Sequence, residues 1–218
     1  GAAGREVSPK SSSADAQALF DEGMRAQLDA VFARMATSVT LELHGNQTAV
    51  SSELSDYAHA LASLGDRVNV VRGKGVSEDE TAFVRVLRED GSDSGLAFHG
   101  VPGGHEFTSF VLGLYNVAGP GQPLDDAVRE RIAAVDGPVD VKVIISLSCT
   151  MCPETVVAAQ RIAAENENVR AEVYDIAHAP GLKDRYNVMS VPCIVVNDGE
   201  QVLFGRKNIE QLLDALAC

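Results

Sequence analysis

Basic side chains are scarce in this sequence: 18 Lys and Arg stand against 31 Asp and Glu, for a formal charge of −13 at pH 7. A field of that sign repels nucleic acid and anionic lipid, which disfavours a DNA-, RNA- or membrane-surface-binding role. Long apolar runs are missing too. No stretch reaches the roughly 18 to 20 uninterrupted apolar residues of a bilayer-spanning helix, and the longest runs are strand-sized, so a soluble chain is expected. Cysteine, at four residues in 218, is too rare for a disulfide scaffold. Tryptophan is absent, but 45% of the residues are hydrophobic, enough for one large or two small cores. The basic start, apolar run and cleavage site of a signal peptide are lacking, and a cytoplasmic location is expected. The chain begins at Gly1 without a Met, a start that suits a processed chain, a tag remnant or a module of a longer protein.

Residues 1–18 mix Gly, Ala, Ser and Pro with few large apolar side chains and are expected to form a flexible tail, or a linker following another domain. Beyond them one unit occurs twice. Met24, Leu28, Val31 and Met35 fall at helical spacing before the alternating strand 39–43; residues 125–135 and 139–145 repeat that order. Gly119-Pro-Gly-Gln-Pro123 separates the copies as a linker signal. Copy one then predicts a helix over 53–64, a strand over 67–72, a hairpin of 83–88 and 95–99 around Asp90-Gly91, and a helix over 106–117. Copy two predicts a helix over 153–164, a strand over 169–176, a short helix over 178–186, strands over 193–197 and 201–205, and a closing helix over 209–217. The expected class is α/β: two units, 19–120 and 121–218, each a mixed four-stranded sheet flanked by helices.

The chemistry centres on Cys149-Thr150-Met151-Cys152, placed where a strand ends and a helix begins. There the first sulfur meets unpaired backbone N–H groups and the positive end of the helix dipole, which favour thiolate over thiol. Two intervening residues allow the cysteines to close a disulfide, so a mixed disulfide on Cys149 can be resolved by Cys152. Zinc is the competing reading of a CxxC, but a structural site needs four ligands and there is no second CxxC. A purely structural disulfide is the other, although so short a loop contributes little chain-entropy stabilisation. A strand, CxxC and helix, with Val191-Pro192 ahead of a strand some 40 residues later, is a thioredoxin-like redox signature. A cis Val191–Pro192 bond is expected, with the Val191 backbone free to pair with a substrate segment; an ordinary trans proline at a strand entry is the alternative.

Three motifs, Ser146-Leu-Ser-Cys-Thr-Met-Cys-Pro153, Asn187-Val-Met-Ser-Val-Pro192 and Gly104-His-Glu-Phe-Thr-Ser109, resemble those of the N-terminal domain of the alkyl hydroperoxide reductase flavoprotein, built from two tandem thioredoxin-like folds. The resemblance extends over about residues 19–217. It implies that electrons pass from NAD(P)H through a flavin and its cysteine pair to the CxxC, and on to the disulfide of a peroxiredoxin. It also implies that Cys149 attacks and Cys152 resolves, with Thr150, Met151, Val191 and Pro192 contacting the substrate. Finally, it implies that Glu106 lies close to the disulfide and acts as general acid or base toward Cys152 or tunes the pair; a residue complementing a helix dipole is the plainer reading.

The first copy departs from that pattern, with Ala49 and Ser52 about where Cys149 and Cys152 stand and Thr81 about where Pro192 stands. It reads as a scaffold contributing Glu106 and surface, with the loop Gly100-Val-Pro-Gly-Gly104 available to line the site. Cys193 reads as a small buried strand residue, and Cys218 is assigned no role. His99, His105 and His178 are isolated, with no ligand-like grouping; no metal site is expected. No GxGxxG fingerprint follows a strand, so FAD and NAD(P)H are expected on a reductase domain or partner, fused or separate. A free-standing thioredoxin- or glutaredoxin-like disulfide reductant is the alternative activity, and a non-catalytic zinc-binding or interaction domain the alternative of another class.

Overall fold

The computed structural model describes residues 19–217; the expected tail over 1–18 and Cys218 lie outside them. The first half runs α1 (Glu22–Arg34), β1 (Val39–His44), α2 (Ala49–Ala62), β2 (Val68–Arg72), β3 (Phe83–Arg88), β4 (Asp93–His99), a 3-10 turn (Gly104–Glu106) and α3 (Phe107–Ala118). The second runs α4 (Asp126–Ala133), β5 (Val139–Ile145), α5 (Cys152–Glu165), β6 (Val169–Asp175), α6 (Pro180–Arg185), β7 (Cys193–Val196), β8 (Gln201–Phe204) and α7 (Ile209–Leu216).

Strand pairing repeats between the halves. β1 lies parallel to β2 and antiparallel to β3, which turns back as β4; β5 lies parallel to β6 and antiparallel to β7, which turns back as β8. The two four-stranded sheets are fused. β4 pairs in parallel with β6, Leu96 opposite Ala171 and Phe98 opposite Val173, giving one eight-stranded sheet in the order β2-β1-β3-β4-β6-β5-β7-β8. Each half thus covers one exposed edge of the other. Gly95 permits the approach: its φ is +87°, and a Cβ there would stand 2.7 Å from the Val169 carbonyl oxygen.

Polar side chains cross the same seam. His99 on β4 bonds through Nε2 to Glu172 Oε1 on β6 at 2.7 Å, and its ring stacks on Tyr174 with centroids 3.9 Å apart. Arg85 and Arg170 also approach the Glu172 carboxylate, at 3.6 and 3.5 Å. Burial alone would raise the Glu172 pKa, but its hydrogen bond to His99 and these cations outweigh burial and bring it down to about 2. Most buried apolar residues of both halves form one continuous cluster, with α3 of the first half packed on α5 of the second; Ile144, Tyr186, Val188, Cys193 and Val195 form a smaller one in the second half. Phe107, Phe110, Val111 and Leu114 form the buried face of α3, each large side chain contributing about 1.5–3 kcal/mol by leaving water.

Local chemistry moves several boundaries. Helix α2 starts four residues earlier than periodicity suggests, because the Thr48 side chain caps it by accepting from Ser51 N. The helix expected from Glu106 begins at Phe107, since Gly104 to Glu106 wind into a tighter turn. Around Asp198, the turn after β7 is a 3-10 turn with Asn197 and Asp198 at φ +48° and +58°.

Candidate active site

Cys149 and Cys152 are joined as a disulfide with Cα atoms 5.6 Å apart. Cys149 sits in the connection 146–151 and is half-buried, whereas Cys152 is the first residue of α5 and is fully buried. The connection is held by the Cys149 amide, which donates to the Ser146 carbonyl at 3.0 Å. An approaching thiolate or disulfide therefore meets Cys149 and is barred from Cys152. Pro153 occupies the first turn of α5, where its missing N–H costs no helical bond. Glu154, next to it, would oppose a thiolate at this helix end; Arg206 pairs with it at 3.2 Å. Both side chains are exposed, so the offset is small.

The Val191–Pro192 peptide is cis. It places the Val191 carbonyl oxygen 4.0 Å from Cys149 Sγ, and the Pro192 carbonyl accepts from the Gly205 amide at the end of β8. On α5, the Thr155 hydroxyl accepts from the Lys207 amide at 2.9 Å, tying the helix start to the same end of the sheet. Thr150 and Met151 are exposed beside the disulfide, and Met189, three residues before Pro192, is 77% exposed. Met151, Met189 and Leu19 are the exposed large hydrophobic side chains among the described residues; the first lies between the two cysteines and the second in the segment leading to Val191.

The first half reaches this site through its 3-10 turn. The His105 amide donates to the Leu147 carbonyl at 3.0 Å, and the turn packs on α5. Gly104, at φ +53°, makes this possible: a Cβ would lie 2.8 Å from the Leu147 oxygen. Glu106 is consequently fully buried at the junction. Its Oε2 accepts from Ser109 Oγ at 2.6 Å, and its Oε1 is buried without a partner. Burial drives its pKa up to about 7, against the lowering effect of the Ser109 hydrogen bond. Glu106 is also the N-cap residue of α3, where its side chain makes no capping hydrogen bond to the helix backbone.

The first copy's correspondences shift by a few residues. Its strand-to-helix connection is 45–48 against 146–151 in the second copy, and both helices have 14 residues. Ala49, as first helical residue, is therefore the counterpart of Cys152, and Asn46 that of Cys149; Ser52 falls a turn too late. Since Phe83 opens β3 as Cys193 opens β7, Ala82 rather than Thr81 matches Pro192. The loop 100–104 runs to the Leu147 contact and leads into the turn that carries Glu106.

Cys193 is fully buried, and burial pushes its thiol up to about 11, which leaves it inert as a nucleophile. His105 and His178 are exposed, and His99 serves the seam. Among the described residues no group of three or more His, Cys, Asp or Glu side chains is placed to hold a metal ion, and no helix is long and apolar enough to cross a membrane. Sequence reasoning left Met189 and Ser109 without a role, although both lie within the motifs it singled out. The signal for Met189 was its place in the segment leading to Pro192.

Residues 139–216 match the model of a thioredoxin domain family. The chain is 31% identical over 195 residues to the F subunit of alkyl hydroperoxide reductase of Pseudomonas aeruginosa, an alignment spanning 89% of this chain and 37% of that protein. The chain therefore spans little more than a third of that relative's length. The crystal structure of the NTD_N/C domain of alkylhydroperoxide reductase AhpF from Enterococcus faecalis superposes with a TM-score of 0.85 at 35% identity, over 90% of this chain and 99% of that one. A protein disulfide oxidoreductase from Aeropyrum pernix shares the fold, with a TM-score of 0.75 at 23% identity over 90% and 91% of the two chains.

Proposed function

This chain belongs to the family of the N-terminal, tandem thioredoxin-like domain of alkyl hydroperoxide reductase AhpF, and from that premise we propose that it relays two electrons from an NAD(P)H-dependent flavoprotein reductase to a peroxiredoxin in the cytoplasm. The observation that carries the reading is the unequal pair: Cys149 half-exposed and facing the Val191 carbonyl, Cys152 buried behind it.

In the dithiol form, the Cys149 thiolate attacks one sulfur of the peroxiredoxin disulfide, forming a mixed disulfide and releasing the other sulfur as a thiolate. Cys152 then attacks Cys149 Sγ, which breaks the mixed bond, regenerates the Cys149–Cys152 disulfide and releases the second peroxiredoxin thiolate. Two electrons have moved to the partner. Glu106 takes the Cys152 proton as that thiol attacks, and a carboxyl group held at about 7 is suited to accept and release a proton at neutral pH. The half-buried Val191, with Pro192 buried behind it, and the exposed Thr150 and Met151 receive the partner segment that carries the disulfide. A reductase dithiol restores the pair.

Residues 19–120 form the unit without a redox pair, which supplies Glu106, and residues 121–218 the redox unit. FAD and NAD(P)H reside on a reductase domain or partner, in keeping with the lack of a GxGxxG fingerprint after a strand, and no step is assigned to them within these residues.

Trapping tests the reading. Reduced Cys152→Ser, incubated with a lysate, should accumulate a peroxiredoxin disulfide-linked to Cys149. Capture of many unrelated thiol proteins without a peroxiredoxin would instead indicate a general disulfide reductant.

A further inference from the structure

Buried carboxyl groups seldom change protonation state freely, because the form that fits one set of hydrogen bonds is left unsatisfied in the other. Glu106 has one oxygen with a partner and one without. The partner is Ser109, one turn on in α3 and itself fully buried, whose Oγ stands 2.6 Å from Glu106 Oε2 and 3.0 Å from the Glu106 main-chain carbonyl oxygen. A serine hydroxyl both donates and accepts. With Glu106 ionised, Oγ–H donates to Oε2. With Glu106 protonated on Oε1, the free oxygen, Oε2 is the carbonyl oxygen of the acid and still accepts from Oγ–H. Ser109 thus partners Oε2 in both states, and the change of state requires no rearrangement of the pair.

Ser109 is fixed from the far side by the redox helix. Gln160 of α5 donates through Nε2 to the Ser109 carbonyl at 2.9 Å, and Gly113 leaves it room: a Cβ there would meet the Gln160 amide at 2.8 Å. The helix that begins with Cys152 thus sets the register of the serine that holds Glu106.

We propose that Ser109 is the positioning residue that makes Glu106 a reversible proton carrier, partnering Oε2 in both protonation states and leaving Oε1 as the free acceptor. The inference rests on the reading of Glu106 as the acid–base group of the relay. His105 adjoins Glu106 on its own turn, α3 brings no charged residue, and α5, which packs on the turn, begins with Cys152. Burial and the serine hydroxyl account for its shift, with no ionic partner contributing.

The test uses infrared titration of the whole chain, following the C=O stretch of the protonated carboxyl that disappears in Glu106→Gln. In Ser109→Ala the carboxylate loses its donor, and the midpoint of that band should rise by about one pH unit or more. Ser109→Thr, which keeps the hydroxyl, should return it toward wild type. The pH profile of exchange with a small disulfide should move with the midpoint. A midpoint unchanged in a folded Ser109→Ala overturns the proposal. A midpoint that rises while the exchange profile stays in place supports the serine's role and overturns instead the acid–base reading of Glu106. Should the threonine variant not fold, the alanine midpoint decides alone.

Discussion

The Val191 carbonyl oxygen stands 4.0 Å from Cys149 Sγ, so the partly exposed sulfur and a main-chain acceptor share one face of the molecule while Cys152 lies sealed beneath. On the proposed function this asymmetry predicts the order of reaction. After reduction, a short iodoacetamide pulse at neutral pH should alkylate Cys149 and spare Cys152 and Cys193, which react only after unfolding; peptide mass spectrometry reads these three sites. Equal labelling of Cys149 and Cys152 would contradict the order.

Glu106 should cost the fold stability at and above neutral pH. Its folded pKa of about 7 lies above the ordinary 4.5, so the folded state holds the proton more tightly than the unfolded chain. Stability is then fully present below pH 4.5 and declines as pH rises through 7. Glu106→Gln removes the decline: urea titrations should show the variant equal to wild type at pH 4 and more stable at pH 8, by up to about 3 kcal/mol. A variant less stable than wild type at pH 8 would refute the burial account.

Glu172 has the opposite sign. Its carboxyl is held at about 2 against an ordinary 4.5, so its contribution is present above pH 4.5 and lost as pH falls toward 2. Glu172→Gln should lower stability at pH 7 by up to about 3 kcal/mol and flatten the acid limb of the pH–stability curve. An unchanged acid limb would show that the β4–β6 seam does not rely on this carboxylate.

Met151 and Met189 should act on the protein partner and not on the chemistry. Changing either to Gln should lower kcat/KM toward a peroxiredoxin about tenfold, a loss of ~1.4 kcal/mol of apolar contact. Rates with a small aromatic disulfide should stay within about twofold of wild type. Equal losses on both substrates would place the methionines in the chemistry.

Much of this architecture is local and therefore legible in the residues. Strand alternation in Val39–Leu43 and Val139–Ile145, the strand–CxxC–helix order and the repeat of the unit all appear within short windows. The fusion of the two sheets does not. Leu96 and Ala171 are 75 positions apart, and a parallel pairing between strands of separate units leaves no turn residue or short-range pattern to mark it; Gly95 is the one trace. Ser109 illustrates the same limit at the site. It stands inside a motif that the sequence singles out, but that its hydroxyl meets Glu106 depends on the 3-10 turn at Gly104, which in turn depends on Leu147 in the other half. The offset of Ala49 and Asn46 arises because a connection two residues shorter cannot be told from a shifted helix by periodicity alone.

The central claim is tested most directly by mixing the reduced chain with a disulfide-form two-cysteine peroxiredoxin under anaerobic conditions and quenching in acid at intervals. One peroxiredoxin disulfide should be reduced for each Cys149–Cys152 disulfide formed, Cys152→Ser should stop at the mixed disulfide, and Cys149→Ser should transfer nothing. Transfer that persists in Cys149→Ser, or a wild-type chain that stays reduced beside the oxidised peroxiredoxin, would contradict the account.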